Sequence, residues 1–201
     1  MRKIIVSEFV SLDGVIQAPG SKDEDTDGGF AHGGWTWSYW DDEVDAFSAQ
    51  VMSESDALLL GRKTWQIIGG FFEPMAAGDP SGDAMNAMPK YVVSTTLADA
   101  SAWRNSTLIS GDVVEAVRTL KAQPGKNIVI NGSSVLVHTL AQHDLIDEYY
   151  LLIFPVALGL GTRLFADDSY QALRLVETKS SPSGVVLMRY QPMKSETSEE
   201  Q

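Results

Sequence analysis

The sequence predicts an α/β fold with a mainly parallel central sheet, an antiparallel C-terminal edge and helices on both faces. Short β-branched apolar runs alternate with segments of helical periodicity through the first three-quarters of the chain. Strand-like runs then follow one another without helices between them. Glycine-bearing turns join run to helix at Leu60-Gly61-Arg62 and at Asn131-Gly132-Ser133, as strand-to-helix connections require.

Residues 4–10 are β-branched and mostly apolar, the pattern of a buried strand, and Ser11-Leu12-Asp13-Gly14 reads as a turn. Residues 17–34, rich in Gly, Asp and Ser, predict a long loop beside the site that the sheet forms. Over 41–53, Val44, Phe47, Val51 and Met52 recur near helical spacing, with acids in the first turn. A buried strand over 57–60 leads to a helix over 62–68 that ends at Gly69-Gly70. Residues 71–89 predict a polar loop punctuated by Gly and Pro. Strands are expected over 91–94 and 107–109, then a helix over 112–122 whose buried stripe is Val113, Val114, Val117 and Leu120. A strand over 127–130 runs into a helix over 135–142, and strands over 146–156, 173–178 and 185–190 complete the sheet. One domain is expected over 1–192, followed by a disordered acidic tail over 193–201.

The 201 residues suffice for a single domain with a substantial core, and 44% hydrophobic with 21% charged residues is a globular composition. A net charge of −12 argues against a nucleic-acid partner, whose phosphates need a basic surface. With no Cys, the chain has no disulfides, thiolate zinc sites or Cys nucleophiles. His32, His138 and His143 have no metal-ligand spacing, so no metal is expected. Glu8 breaks the N-terminal apolar run and no cleavage site follows, so no signal peptide is expected; no apolar run is long enough to span a bilayer. The expected location is cytoplasmic, with no membrane partner.

Two turns carry phosphate-binding chemistry. At Gly61-Arg62-Lys63-Thr64 a glycine lets the backbone approach a ligand, the following helix offers free N–H groups, and two cations and a hydroxyl add to them. Cations at a helix N-terminus oppose the dipole, which a purely structural sequence would avoid. Asn131-Gly132-Ser133-Ser134 suits a pyrophosphate and equally suits ordinary N-capping. Ser94-Thr95-Thr96 ends a third strand. All three lie at carboxyl ends of strands, where open α/β sheets bind ligands. The aromatic cluster Trp35, Trp37, Tyr39 and Trp40 either stacks on a flat heterocycle or pins the long loop, and Trp37 and Trp40 are the candidate substrate-pocket residues. Asp13 and Asp41 are the candidate catalytic acids; turn chemistry explains the first and a helix dipole the second equally well.

The run Leu60-Gly61-Arg62-Lys63-Thr64-Trp65 resembles the Gly-Arg-Lys-Thr signature of dihydrofolate reductases. The rest is more similar to the reductase domain of the bifunctional deaminase–reductases of riboflavin biosynthesis and their stand-alone bacterial relatives. That resemblance rests on Ser11-Leu12-Asp13-Gly14-Val15-Ile16, Lys90-Tyr91-Val92-Val93-Ser94-Thr95-Thr96-Leu97, Trp103-Arg104-Asn105-Ser106, Asn131-Gly132-Ser133-Ser134 and Pro155-Val156-Ala157-Leu158-Gly159-Leu160-Gly161, in consistent order over about residues 2–190. It implies a three-layer dihydrofolate-reductase-like fold and NADPH as cofactor. It places Gly61, Arg62, Lys63 and Thr64 on the cofactor phosphates and Ser94, Thr95 and Thr96 near the adenosine 2′-phosphate. Gly132, Ser133 and Ser134 would cradle the pyrophosphate, and Ile16 would line the nicotinamide pocket. It further implies a homodimer and reduction of a pyrimidine- or pterin-type heterocycle or its ribosylamino derivative, as 5-amino-6-(5-phosphoribosylamino)uracil reductases do. A genuine dihydrofolate reductase and a non-catalytic nucleotide sensor on the same fold are the alternatives. The deaminase signature, which needs a Pro-Cys-x-x-Cys run, is absent.

Overall fold

The computed structural model describes residues 1–193, so of the expected tail only Met193 falls within it, its N–H donating to the Ala172 carbonyl at 2.8 Å; residues 194–201 lie outside the described residues. The element order is β1 (Ile4–Ser11), α1 (Asp42–Ser53), β2 (Ser55–Gly61), α2 (Arg62–Phe72), α3 (Pro80–Ala87), β3 (Lys90–Val93), β4 (Ser106–Ile109), α4 (Val113–Ala122), β5 (Asn127–Ile130), α5 (Ser134–Ala141), β6 (Glu148–Phe154), β7 (Leu173–Ser180) and β8 (Val186–Pro192). They build one sheet in the order β4-β3-β2-β5-β1-β6-β8-β7. Every pair from β4 to β6 is parallel; β8 is antiparallel to β6 and β7 antiparallel to β8. The mainly parallel sheet with an antiparallel C-terminal edge is therefore present.

Alternation along the strands divides the core. Ile4, Val6 and Val10 face the layer of α4 and α5, packing with Val117, Leu120, Leu136 and Leu140. Ile5, Leu58 and Leu60 face the other layer, with Val51 of α1 and Trp65 of α2. Central strands buried on both sides explain why the runs read as continuously apolar rather than alternating.

The loop expected over 71–89 is corrected. The helix runs through Gly69-Gly70 to Phe72, and α3 occupies the middle of the segment. Gly69 is a packing glycine rather than a helix stop: a Cβ there would lie 3.1 Å from Trp103 Cε3, so the helix continues with an indole against its backbone. Asp79 caps α3 by accepting from Gly82 N at 2.8 Å, and Pro80 occupies its first turn. Asn86 then joins the pieces, its Nδ2 donating to Phe72 O and its Oδ1 accepting from Trp103 Nε1, both at 2.8 Å.

Chain order also creates a fork. β1 starts in the middle of the sheet, the chain runs outward through β2, β3 and β4, and β5 returns between β2 and β1 before β6 joins on the far side. Connections leaving β5 and β1 diverge at their carboxyl ends, opening the crevice in which such sheets bind ligands.

Candidate functional site

β3, β2 and β5 are neighbours, so their carboxyl ends bring Ser94-Thr95-Thr96, Gly61-Arg62-Lys63-Thr64 and Gly132-Ser133-Ser134 to one edge of the sheet. The last two turns interlock. Ser133 Oγ accepts from Gly61 N at 2.9 Å and donates to Thr64 Oγ1 at 3.0 Å. Gly132 has φ +59°, and a Cβ there would lie 3.0 Å from Thr64 Oγ1 and Cγ2. Ser133 also holds a left-handed conformation at φ +60°, which costs a non-glycine residue energy that the interlock offsets. Its hydroxyl faces the neighbouring turn instead of capping α5. Neither α2 nor α5 has a side-chain N-cap, so both present uncapped first-turn amides at this edge.

The two cations differ. Arg62 is exposed, donates to Gln66 Oε1 at 3.1 Å, and has no carboxylate partner among the described residues. Lys63 Nζ lies 2.7 Å from a carboxylate oxygen of Asp25 and 2.7 Å from one of Asp27. Desolvation pulls the Lys63 ammonium down, but these two acids outweigh it and leave it more firmly protonated than usual. Both acids come from the long loop, which Gln17 anchors: its Nε2 donates to the carbonyls of Asp25 at 3.2 Å and Asp27 at 3.0 Å, and its Oε1 accepts from Thr162 N at 3.0 Å. Ser94 is buried, and its Oγ accepts from the amides of Thr96 at 3.1 Å and Leu97 at 3.0 Å; Thr95 and Thr96 are exposed.

The remaining candidates lie across the fork. Ile16 is buried with Val10, Leu151 and Leu164, and its N–H donates to Thr162 O at 2.8 Å. Asp13 Oδ1 accepts from Ser11 Oγ at 2.6 Å and Leu158 N at 3.1 Å, and Oδ2 from Gly159 N at 2.7 Å. The Ser11 hydroxyl, with those amides, holds its carboxyl down to about 2 against desolvation. Asp41 is the N-cap of α1, accepting from Glu43 N, Val44 N and Ser183 N at 3.1, 3.0 and 2.9 Å. Desolvation lifts its carboxyl, but the amides of Val44 and Ser183 outweigh it and leave it well below the usual carboxylate range. The structure thus makes both acids fixed carboxylates clamping loops together. In the aromatic cluster Trp35 is the anchor, buried with Nε1 donating to Gln17 O at 2.8 Å. Trp40 is half-buried edge-on to Phe9 at 5.4 Å, while Trp37 is 65% exposed and tilted against Trp40 at 5.9 Å. Clefts of about 220 Å³ and 360 Å³ flank this side and share Arg163 as a wall; the larger also touches Ser134 and His138.

Three kinds of residue escape sequence reasoning. Asp25 and Asp27 look like loop polarity until Lys63 is placed against them. Gln17 looks like the start of a loop rather than its anchor. Glu8 reads as a break in an apolar run, yet it is 5% exposed on β1 and its Oε1 has no partner. Burial pushes its carboxyl well above the usual range, with the Gly132 amide acting the other way. An acidic residue inside a mostly apolar strand was the available signal.

Comparison with known proteins gives a consistent picture. The family model described as the RibD C-terminal domain matches residues 2–187. The uncharacterized protein YyaP of Bacillus subtilis is 30% identical over 193 residues, covering 94% of each chain. Among solved structures, a protein of Shewanella sp. PV-4 provisionally named for riboflavin biosynthesis superposes with TM-score 0.72 at 23% identity, covering 96% of this chain and 99% of its own. A pyrimidine reductase-like protein of Corynebacterium diphtheriae gives 0.63 at 15%, covering 96% and 92%. A dihydrofolate reductase of Enterococcus faecalis, solved with NADP(H), gives 0.61 at 14%, covering 96% and 97%. At these identities the structures establish a common fold, the dihydrofolate-reductase-like one.

Proposed function

The chain belongs to the RibD C-terminal domain family, and from that membership we propose that it is an NADPH-dependent reductase of a pyrimidine- or pterin-type heterocycle or its ribosylamino derivative. The observation that carries this reading is the interlocked pair of turns: two uncapped helix N-termini held together by Ser133, with Arg62 beside them bearing a cation that no carboxylate among the described residues neutralises. The residues fit the cofactor. Gly132 leaves backbone exposed where a side chain would strike Thr64, the first-turn amides of α2 and α5 suit a pyrophosphate, and Arg62 suits a phosphate monoester. NADPH, when bound, supplies the hydride. The chain's share is to bind it through these turns, to position a ring near Ile16, and to cover it from the side of Trp37 and Trp40.

Asp13 and Asp41 do not serve as proton donors in this reading, because each is a carboxylate already accepting several hydrogen bonds. The dihydrofolate reductase alternative calls for a buried acid on the first helix, whereas α1 buries Val44 and Val51. The direct test is fluorescence titration with NADPH and NADH, followed by NADPH oxidation across a panel of pyrimidines and pterins. Tighter binding of NADPH and oxidation with at least one heterocycle are expected. Equal affinity for the two cofactors would remove the Arg62 assignment, and binding without any oxidation would leave the sensor alternative standing.

A further inference from the structure

Glu8 is the residue in the sheet that packing does not account for. β1 and β5 pair in parallel up to Val6 and Ile130. Beyond that point β5 turns away, with Asn131 Nδ2 donating to Ser7 O at 2.8 Å, while β1 continues beside β6 to the pair Ser11 and Phe154. Alternation puts Glu8 on the face of Val6 and Val10, opposite Leu151 in register, as the first side chain on that face past the fork. It is therefore buried at the fork, close to the backbone of Gly132 in the Asn131–Ser134 turn and on the same face as Ile16. Val6, Val10 and Leu151 share its face, Oε1 has no hydrogen-bond partner among the described residues, and the Gly132 amide is what counters the burial of the carboxyl.

The titratable groups on the surrounding elements are engaged elsewhere. His138 of α5 bonds the Leu164 carbonyl, Asp13 bonds Ser11, Leu158 and Gly159, Tyr149 of β6 donates to Gln171, and Lys63 of α2 holds Asp25 and Asp27. Arg163 is exposed and lines the clefts. A leucine would serve the sheet better at position 8, so a carboxyl kept here points to work at the crevice.

We propose that Glu8 is a positioning residue for the cofactor, acting through the Gly132 amide: as the neutral acid it leaves the Asn131–Ser134 turn able to take the cofactor's pyrophosphate, and as the carboxylate it draws the Gly132 N–H inward and sets a negative charge beneath that phosphate. The inference rests on the NADPH reading above. Binding of the anionic cofactor and protonation of Glu8 are then linked, each favouring the other.

The experiment is an NADPH titration of the wild type and of Glu8→Gln, which is isosteric and always neutral, from about pH 6 to about pH 9. The wild-type Kd is expected to rise by about tenfold per pH unit once Glu8 ionises, while the variant keeps only the shallower dependence of the cofactor itself. A purely structural Glu8 predicts the same pH profile in both proteins, displaced by a constant factor, and that result overturns the inference while leaving the cofactor assignment intact. No NADPH binding by the wild type at any pH ends both. Should Glu8→Gln fail to fold, calorimetry of the wild type in buffers of different ionisation enthalpy decides. Above about pH 8 a phosphate monoester, with pKa about 6, has no proton left to exchange. Proton uptake on NADPH binding there is expected, and its absence overturns the inference.

Discussion

Arg62 and Lys63 begin α2 side by side, and the difference between them is what each already touches. Lys63 is held by Asp25 and Asp27, while among the described residues Arg62 reaches only Gln66. On the proposed reading, the cation available to the phosphate that distinguishes NADPH from NADH would be Arg62, whose planar fork also suits phosphate better than an ammonium does. Arg62→Ala is expected to weaken NADPH by about 1.5–3 kcal/mol, the scale of a charged hydrogen bond, and to leave NADH nearly unchanged. Paired titrations check this, and equal losses for both cofactors would remove the assignment. At this scale the sequence identified residue types well and states poorly. Gly61, Gly132 and Ser133 lie together at strand-to-helix turns, because local turn chemistry specifies those turns. The condition of Lys63, Asp13 and Glu8 was illegible, because partners such as Asp27, Gly159 and Gly132 are joined to them only by the fold.

At the scale of elements, the same division separates local from distant causes. Helices with a clear apolar stripe, such as α4, lie where their periodicity places them. The extension of α2 through Gly69-Gly70 was hidden because the reason for Gly69 is Trp103, more than thirty residues further on. The Asp79-Pro80 start of α3 was a local signal masked by the small polar residues around it. The long loop is a loop as expected, but one tied at Gln17, Trp35 and Lys63. Two of its acids sit on Lys63, so on the proposed reading loop and cofactor phosphate would compete for that cation. Changing Asp25 and Asp27 together to Asn is expected to tighten NADPH roughly two- to fivefold, in keeping with the modest strength of exposed ion pairs. Weaker binding in that variant would mean that the acids hold the loop closed over the cofactor rather than opposing it.

For the whole molecule, alternation of strand and helix announced the layers, and the final run of strands announced the antiparallel edge. Strand order was less accessible, because nothing near β5 records that it will insert between β2 and β1. The homodimer implied by the family resemblance would not form through β6, which is paired on both sides and largely buried. The segment over 155–165, where Leu160 is 70% exposed, offers it an apolar surface instead. Sedimentation velocity is expected to report two chains per particle, and a single-chain mass at every concentration would end that expectation. The fork has one more consequence, for the order in which the protein can be made. β1 leaves the ribosome first, yet its partners are Ile128 to Ile130 and Glu148 to Phe154. At about 5–20 residues per second, roughly 8–30 s pass between the emergence of the central strand and that of its last neighbour. Both edges of this apolar strand are open until β5 emerges and one stays open until β6 does, so a nascent chain of this topology depends on something else to shield it in the meantime.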